Sequence, residues 1–523
     1  MVIFRLFRHA DHQARQKQST GSIELEHISV LFSFAIREQN LFHIRVTSPG
    51  NRSAAPAVTK ENVLSIHVFA GPTLGLDEIS RQLESAHVHG PVRHGDLLRL
   101  NLGEGDIALL IDGLYHHHPP IRHKEILEVM ANGATVAGAA SMGALRAAEL
   151  WQYGMIGIGR VFQMYADGLI DSDDEVAVVH TPGPECRLLS IALVDIRHCL
   201  SNCTDEGVLN ESDADELLLV ARELPYPRRS WRMIERVAAQ RHSRLASAFE
   251  KMSSFLAQHP EIGNLKLSDA MLAIDHVRNG SLSERRPAPA GWRHSAEWRT
   301  VHLRRWIGEF TGVEVSGVHV GHAAVLRYQQ IYDPEFPERW ERFTLERIAD
   351  SDGLTTRTHC QLRDRALAAA QSKNVTFRNL TVEQRNEWLT PTENDNYSES
   401  EAMTRILVRA TRISLDFSRP DLYEKILLRS PDDTRSHIAE AVAINDRLST
   451  GNFAAHIDNL RADKLRSHLA QTWGMAPDVD DRQLTAAARD RGMATLDEAI
   501  EAVRPFFLHS QVTARRAERE THV

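Results

Sequence analysis

Between Val63 and Leu150 the chain alternates short, unbroken apolar runs with longer segments of helical spacing. The runs "VLSIHVFAG", "DIALLIDG" and "ATVAGAA" lack the polar alternation of a sheet with one wet face. Strands of this kind, separated by helices, belong to a parallel sheet covered on both sides. The segments between them read as helices. "LDEISRQLES" carries Asp77 and Glu78 in its first turn, and "IRHKEILEVMANG" ends at Gly133, signals that suit a helix start and a helix end. "GDLLRLNLGEG" is a second short helix, and "MGALRAAELWQ" follows the third strand. Right-handed crossovers gather the strand C-termini along one edge, where ligands bind. Gly71-Pro72, Asp112-Gly113 and Ser141 fall at those ends. A fourth strand is expected in "VAVVH", ending at His180.

The expected fold is α/β: a small parallel sheet with flanking helices, followed by a largely helical C-terminal region. Residues 1–62 read as an N-terminal extension closed by the turn-rich "TSPGNRSAAPAVTKEN". The core with its helical end takes residues 63–277. "RNGSLSERRPAPAG" marks a linker over 278–292, and amphipathic patterns fill 293–523. Composition narrows the function classes. A net charge of −9 over 523 residues gives no general basic excess, so nucleic acid is not expected as a partner. The apolar run "ISVLFSFAI" has nine residues, against the roughly 20 that a membrane span needs. Four cysteines do not make a disulfide framework, which favours a reducing, cytoplasmic setting.

Ser141 lies in "AASMG", a loosened form of the G-x-S-x-G turn. Small residues there let strand and helix backbones approach closely, lift the hydroxyl and leave helix N–H groups beside it. Two readings stand: Ser141 caps the helix, or it is a nucleophile with the Met142 and Gly143 N–H groups as oxyanion donors. A nucleophile needs a base. Lys124, at the start of the preceding helix beside Arg122 and His123, is the candidate. Neighbouring cations and a helix N-terminus both favour a neutral amine, and the alternative is a solvated surface lysine. Asp112, Arg160 and His180 are supporting or binding candidates. Asp112 either orients a partner or starts a turn, Arg160 holds an anion or a surface ion pair, and His180 is a rival base or a structural histidine.

Other features carry less. "YHHHPP" reads as a solvated loop, because three consecutive histidines do not converge on one point. Gly154, Gly157 and Gly159 are out of order for a dinucleotide fingerprint and follow a helix. "DSDDE" reads as a solvated acidic turn, and Cys199 with Cys203 as a buried pair on one helix face. No metal or cofactor is expected.

"VFAGPTLG", "LLIDGLY", "HKEILEVMANG", "GAASMGALRAAELWQYGMIGIGRVFQMYADG" and "DDEVAVVHTP" together resemble the TfuA core domain, through about residue 240. The resemblance implies a role beside a YcaO enzyme in backbone thioamidation of a ribosomal precursor peptide. It implies hydrolysis of a thiocarboxylated ThiS-like sulfur carrier by a Ser–Lys pair, which falls here on Ser141 and Lys124. The alternative is a non-catalytic adaptor that binds the YcaO and its peptide.

Overall fold

The structure, a computed structural model, describes residues 64–115, 118–181, 186–282, 288–295, 297–349, 358–413, 433–451 and 456–521. The expected extension over 1–62 lies outside them, as do His116 and His117 of the histidine run. The chain divides into a unit of residues 56–312 and a second of residues 313–415 and 419–523.

The first unit is built on five parallel strands, β1 (Ile66–Phe69), β2 (Ala86–His89), β3 (Ile107–Leu110), β4 (Thr135–Ala139) and β5 (Ile156–Ile158). Their order is β2-β1-β3-β4-β5. The sheet is buried on both faces, which explains the unbroken apolar runs. Phe69, Ala108, Leu110 and Val136 pack on one face. Val68, Ala70, Leu109, Ile111, Ala137 and Ala139 pack on the other. Helices α1 (Leu76–Gln82), α2 (Asp96–Arg99), α3 (His123–Ala131), α4 (Met142–Leu150) and α5 (Arg160–Ala166) connect or follow the strands. Helices α6 (Leu193–Asp205), α7 (Glu211–Glu223), α8 (Trp231–Arg241) and α9 (Ser243–Gln258) share their own apolar cluster. Helix α10 (Leu265–Arg278) returns to the sheet and covers its second face with Ala270, Ala273, Ile274 and Val277.

Three strand assignments change: "VAVVH" is lost, and β2 and β5 are gained. "VAVVH" is not a strand: residues 173–175 form a 3-10 turn, and His180 makes only an isolated antiparallel bridge with Leu188. The place beside β4 belongs to β5, and Val176 and Val178 pack instead on Val161 and Phe162 of α5. The first unit also runs to Gly312, beyond the boundary that the linker composition predicts. Trp292 is buried in the sheet's first cluster and Trp298 packs against it. Helix α11 (Val301–Phe310) reaches the ring of His94 with Trp306 and Phe310.

Among its described residues the second unit is helical apart from the strand pair Gly312–Val315 and Val318–Gly321, the first strand starting one residue before it. At its centre the buried Arg409 guanidinium is shared between Glu393 and Asp490. Among the described residues no helix is long and apolar enough to cross a membrane.

Candidate functional site

The strand order places a reversal between β1 and β3, the position where sheets of this type open a crevice at the strand C-termini. Asp112 stands at that reversal, 2 % exposed. Its carboxylate accepts the Gly71 and Thr73 N–H groups at 2.9 Å each and the Thr73 hydroxyl at 2.6 Å. It ties the β1 and β3 loops together, and its hydrogen bonds go there and not to Lys124. Beside Thr73 opens a cavity of about 230 Å³, walled by Val178, Leu188, Leu189 and Trp231, with Asp195 and Lys266 at its polar side. Asp195 accepts the Lys266 N–H, and the Lys266 ammonium donates to the Val176 carbonyl at 3.1 Å. Burial pushes the Asp195 carboxyl up to about 6 against the pull of Lys266. Sequence reasoning missed Thr73, Asp195 and Lys266, since each stands far in sequence from the residues it meets. Neither Ser141 nor Lys124 lines the cavity.

Ser141 sits where β4 turns into α4. The Ser141 N–H donates to the Ala139 carbonyl at 2.7 Å around Ala140, whose φ is +62°. This is the rare γ-turn with a left-handed centre, a strained link of the kind found at functional sites. Two glycines allow it. A β-carbon on Gly143 would lie 1.8 Å from the Leu110 carbonyl oxygen, and one on Gly138 would lie 2.0 Å from the Gly143 oxygen. Helix α4 therefore presses its first turn directly onto the sheet backbone. Ser141 holds the N-cap position, but its side chain makes no capping hydrogen bond. The residue is 7 % exposed, and among the described residues its hydroxyl has no partner.

The two expected oxyanion donors separate. The Gly143 N–H donates to the Ile111 carbonyl at 3.2 Å, so it is spent on joining α4 to the sheet. The Met142 N–H has no partner among the described residues. Lys124 does not bond Ser141. Its ammonium donates to the Thr300 hydroxyl at 3.3 Å, at the start of α11. Around it, His123 and Arg146 both bond Glu149.

The remaining candidates disperse. Gly157 lies inside β5 and Gly159 follows it with φ +92°, so these glycines flank a strand after all. The helix start beyond them is occupied by the chain's own anion: Asp269 accepts the Arg160 and Val161 N–H groups at 2.9 and 2.7 Å. The Arg160 side chain is exposed. His180 stands off the sheet, with Nδ1 against the Thr181 carbonyl. The acidic turn is tied inward, Asp173 to Tyr115, Asp174 to Arg229 and Glu175 to Arg197. Cys199 and Cys203 are buried free thiols. Among the described residues no group of three metal-ligating side chains converges.

Residues 112–230 match the family model described as TfuA-like protein. The match spans Asp112, Lys124, Ser141, Met142, Gly143, Arg160 and His180, and leaves out Thr73, Lys266 and Thr300. No curated protein matches the chain.

Proposed function

We propose that this chain, TfuA-like over residues 112–230, releases sulfide from a thiocarboxylated ThiS-like carrier for a YcaO enzyme that thioamidates a ribosomal peptide. The observation that carries this reading is the Ser141 hydroxyl, at the end of β4 beside the unspent Met142 N–H and engaged in no cap. Lys124 moves from Thr300 to take the Ser141 proton as the oxygen attacks the thiocarboxylate carbon. The Met142 N–H holds the oxyanion. The C–S bond breaks, sulfide leaves with its electron pair and takes the proton from Lys124 as hydrosulfide, and an ester joins the carrier to Ser141. Water, losing its proton to the again neutral Lys124, then cleaves the ester to the carrier carboxylate, and Lys124 returns that proton to the Ser141 oxygen. Asp112 acts at a distance, by fixing the loops of the crevice.

The test is sulfide released from thiocarboxylated carrier by the full chain. Ser141→Ala should abolish it, and Lys124→Met should lower it by roughly a hundredfold or more. Unchanged release by Ser141→Ala overturns the nucleophile. A second reading, a non-catalytic adaptor for the YcaO and its peptide, is favoured by the bond of Lys124 to Thr300 and the commitment of the Gly143 N–H to Ile111. No release by the unmodified chain, with retained binding of the YcaO, would select it.

A further inference from the structure

A lysine serves as a base only while it is free of a carboxylate that would hold it as ammonium. Helix α3 carries such a carboxylate: Glu128 is one turn from Lys124 on the same face, a spacing at which Lys and Glu pair. They do not pair here. The Arg299 guanidinium meets Glu128 at 3.4 Å, while the next residue, Thr300, meets the Lys124 ammonium at 3.3 Å. The stretch that places them is anchored. Trp298 donates from Nε1 to the Trp292 carbonyl at 2.8 Å, Trp292 is buried in the core, and Arg299 lies over the Trp298 ring at 4.2 Å.

The other carboxylates packed around the first turns of α3 are also taken. Glu125 accepts from His94 and from the Gly95 and Leu97 N–H groups. Glu149 is bonded by His123 and Arg146, and Asp96 by Arg93 and Arg99. Among the described residues Lys124 therefore bonds a hydroxyl and makes no ion pair. The hydroxyl matters, because it accepts from an ammonium and donates to a neutral amine, so Lys124 can leave it and return to it in either state.

We propose that residues 298–300 keep Lys124 available as a base, with Thr300 as its positioning residue and Arg299 withholding Glu128 from it. The proposal rests on Lys124 being the base, and its test reads Lys124 both with and without turnover. In the full chain, acetylation of Lys124 by acetic anhydride is followed against pH by peptide mass spectrometry. Arg299→Met should move the midpoint of labelling up by roughly half to one pH unit, because the freed Glu128 carboxylate favours the ammonium. The acid limb of sulfide release should move with it. Adding Glu128→Gln should return both, which a merely damaged fold would not do. Thr300→Val should lower sulfide release about three- to tenfold, and Thr300→Ser should restore it. An unmoved midpoint in Arg299→Met, or a shift that Glu128→Gln leaves in place, overturns the proposal. Full sulfide release by Lys124→Met instead removes the Ser–Lys reading, whatever the labelling shows.

Discussion

At the scale of single residues, Ser141 and Gly143 stand two positions apart and do opposite things. The Ser141 side chain makes no hydrogen bond among the described residues, so removing its oxygen costs the fold little. The missing side chain of Gly143 is what lets α4 sit on the Leu110 carbonyl. Ser141→Ala should change unfolding free energy by less than about 0.5 kcal/mol, as exposed or unbonded positions do. Gly143→Ala should cost roughly 3 kcal/mol or more, since backbone must shift to admit a methyl group. Urea denaturation of both variants checks this, and a mild Gly143→Ala would mean that α4 can lift from the sheet. The small residues around Ser141 were legible in the sequence because close approach selects for small size. The fate of the Gly143 N–H was not, because the Ile111 carbonyl that accepts it comes from another strand.

At the scale of elements, the three central strands announce themselves and the two edge strands do not. β1, β3 and β4 have neighbours on both sides, so their side chains are apolar apart from His67 and Thr135. β2 reads "AHVH", with His87 exposed, and β5 is the three residues "IGI", whose glycine packs under Phe162. β2 lacks the composition that marks a buried strand and β5 the length, and the β-branched "VAVVH" has both without a place in the sheet. The position of Asp112 shows what this hides. Without β2 the sheet has no reversal at β1 and β3, and Asp112 is a turn residue; with it, Asp112 ties together the two loops of the crevice. Asp112→Asn keeps the shape and removes the charge from three short hydrogen bonds. It should cost roughly 1.5–3 kcal/mol by urea denaturation. A neutral result would mean that the loops hold without it.

At the scale of the whole molecule, linker composition and compact units disagree because composition cannot see partners. The Pro- and Arg-rich run before residue 292 looks like a boundary, yet Trp292 and Trp298 find their burial on the first unit. The same unit carries a histidine group whose charge couples to its stability. His67 on β1 is stacked against His87 and His89 of β2, and its Nδ1 lies 2.9 Å from His89 Nε2. Burial, then His89 and His87, push the His67 imidazolium down to about 4 from 6.5, against a weaker pull from Asp106. The unfolded chain therefore takes a proton near pH 6.5 that the folded unit refuses until about pH 4. Stability from this group is full above 6.5 and is lost as pH falls through that window. Asp195, raised to about 6, runs the other way and stabilises the fold as pH falls from 6 towards 3.8. The raw pH dependence mixes both, so the test compares variants. Between pH 7.5 and 5, the urea midpoint should fall less in His67→Phe than in the unmodified chain, and it should fall more in Asp195→Asn. Equal slopes in all three proteins would mean that neither burial alters proton binding on folding.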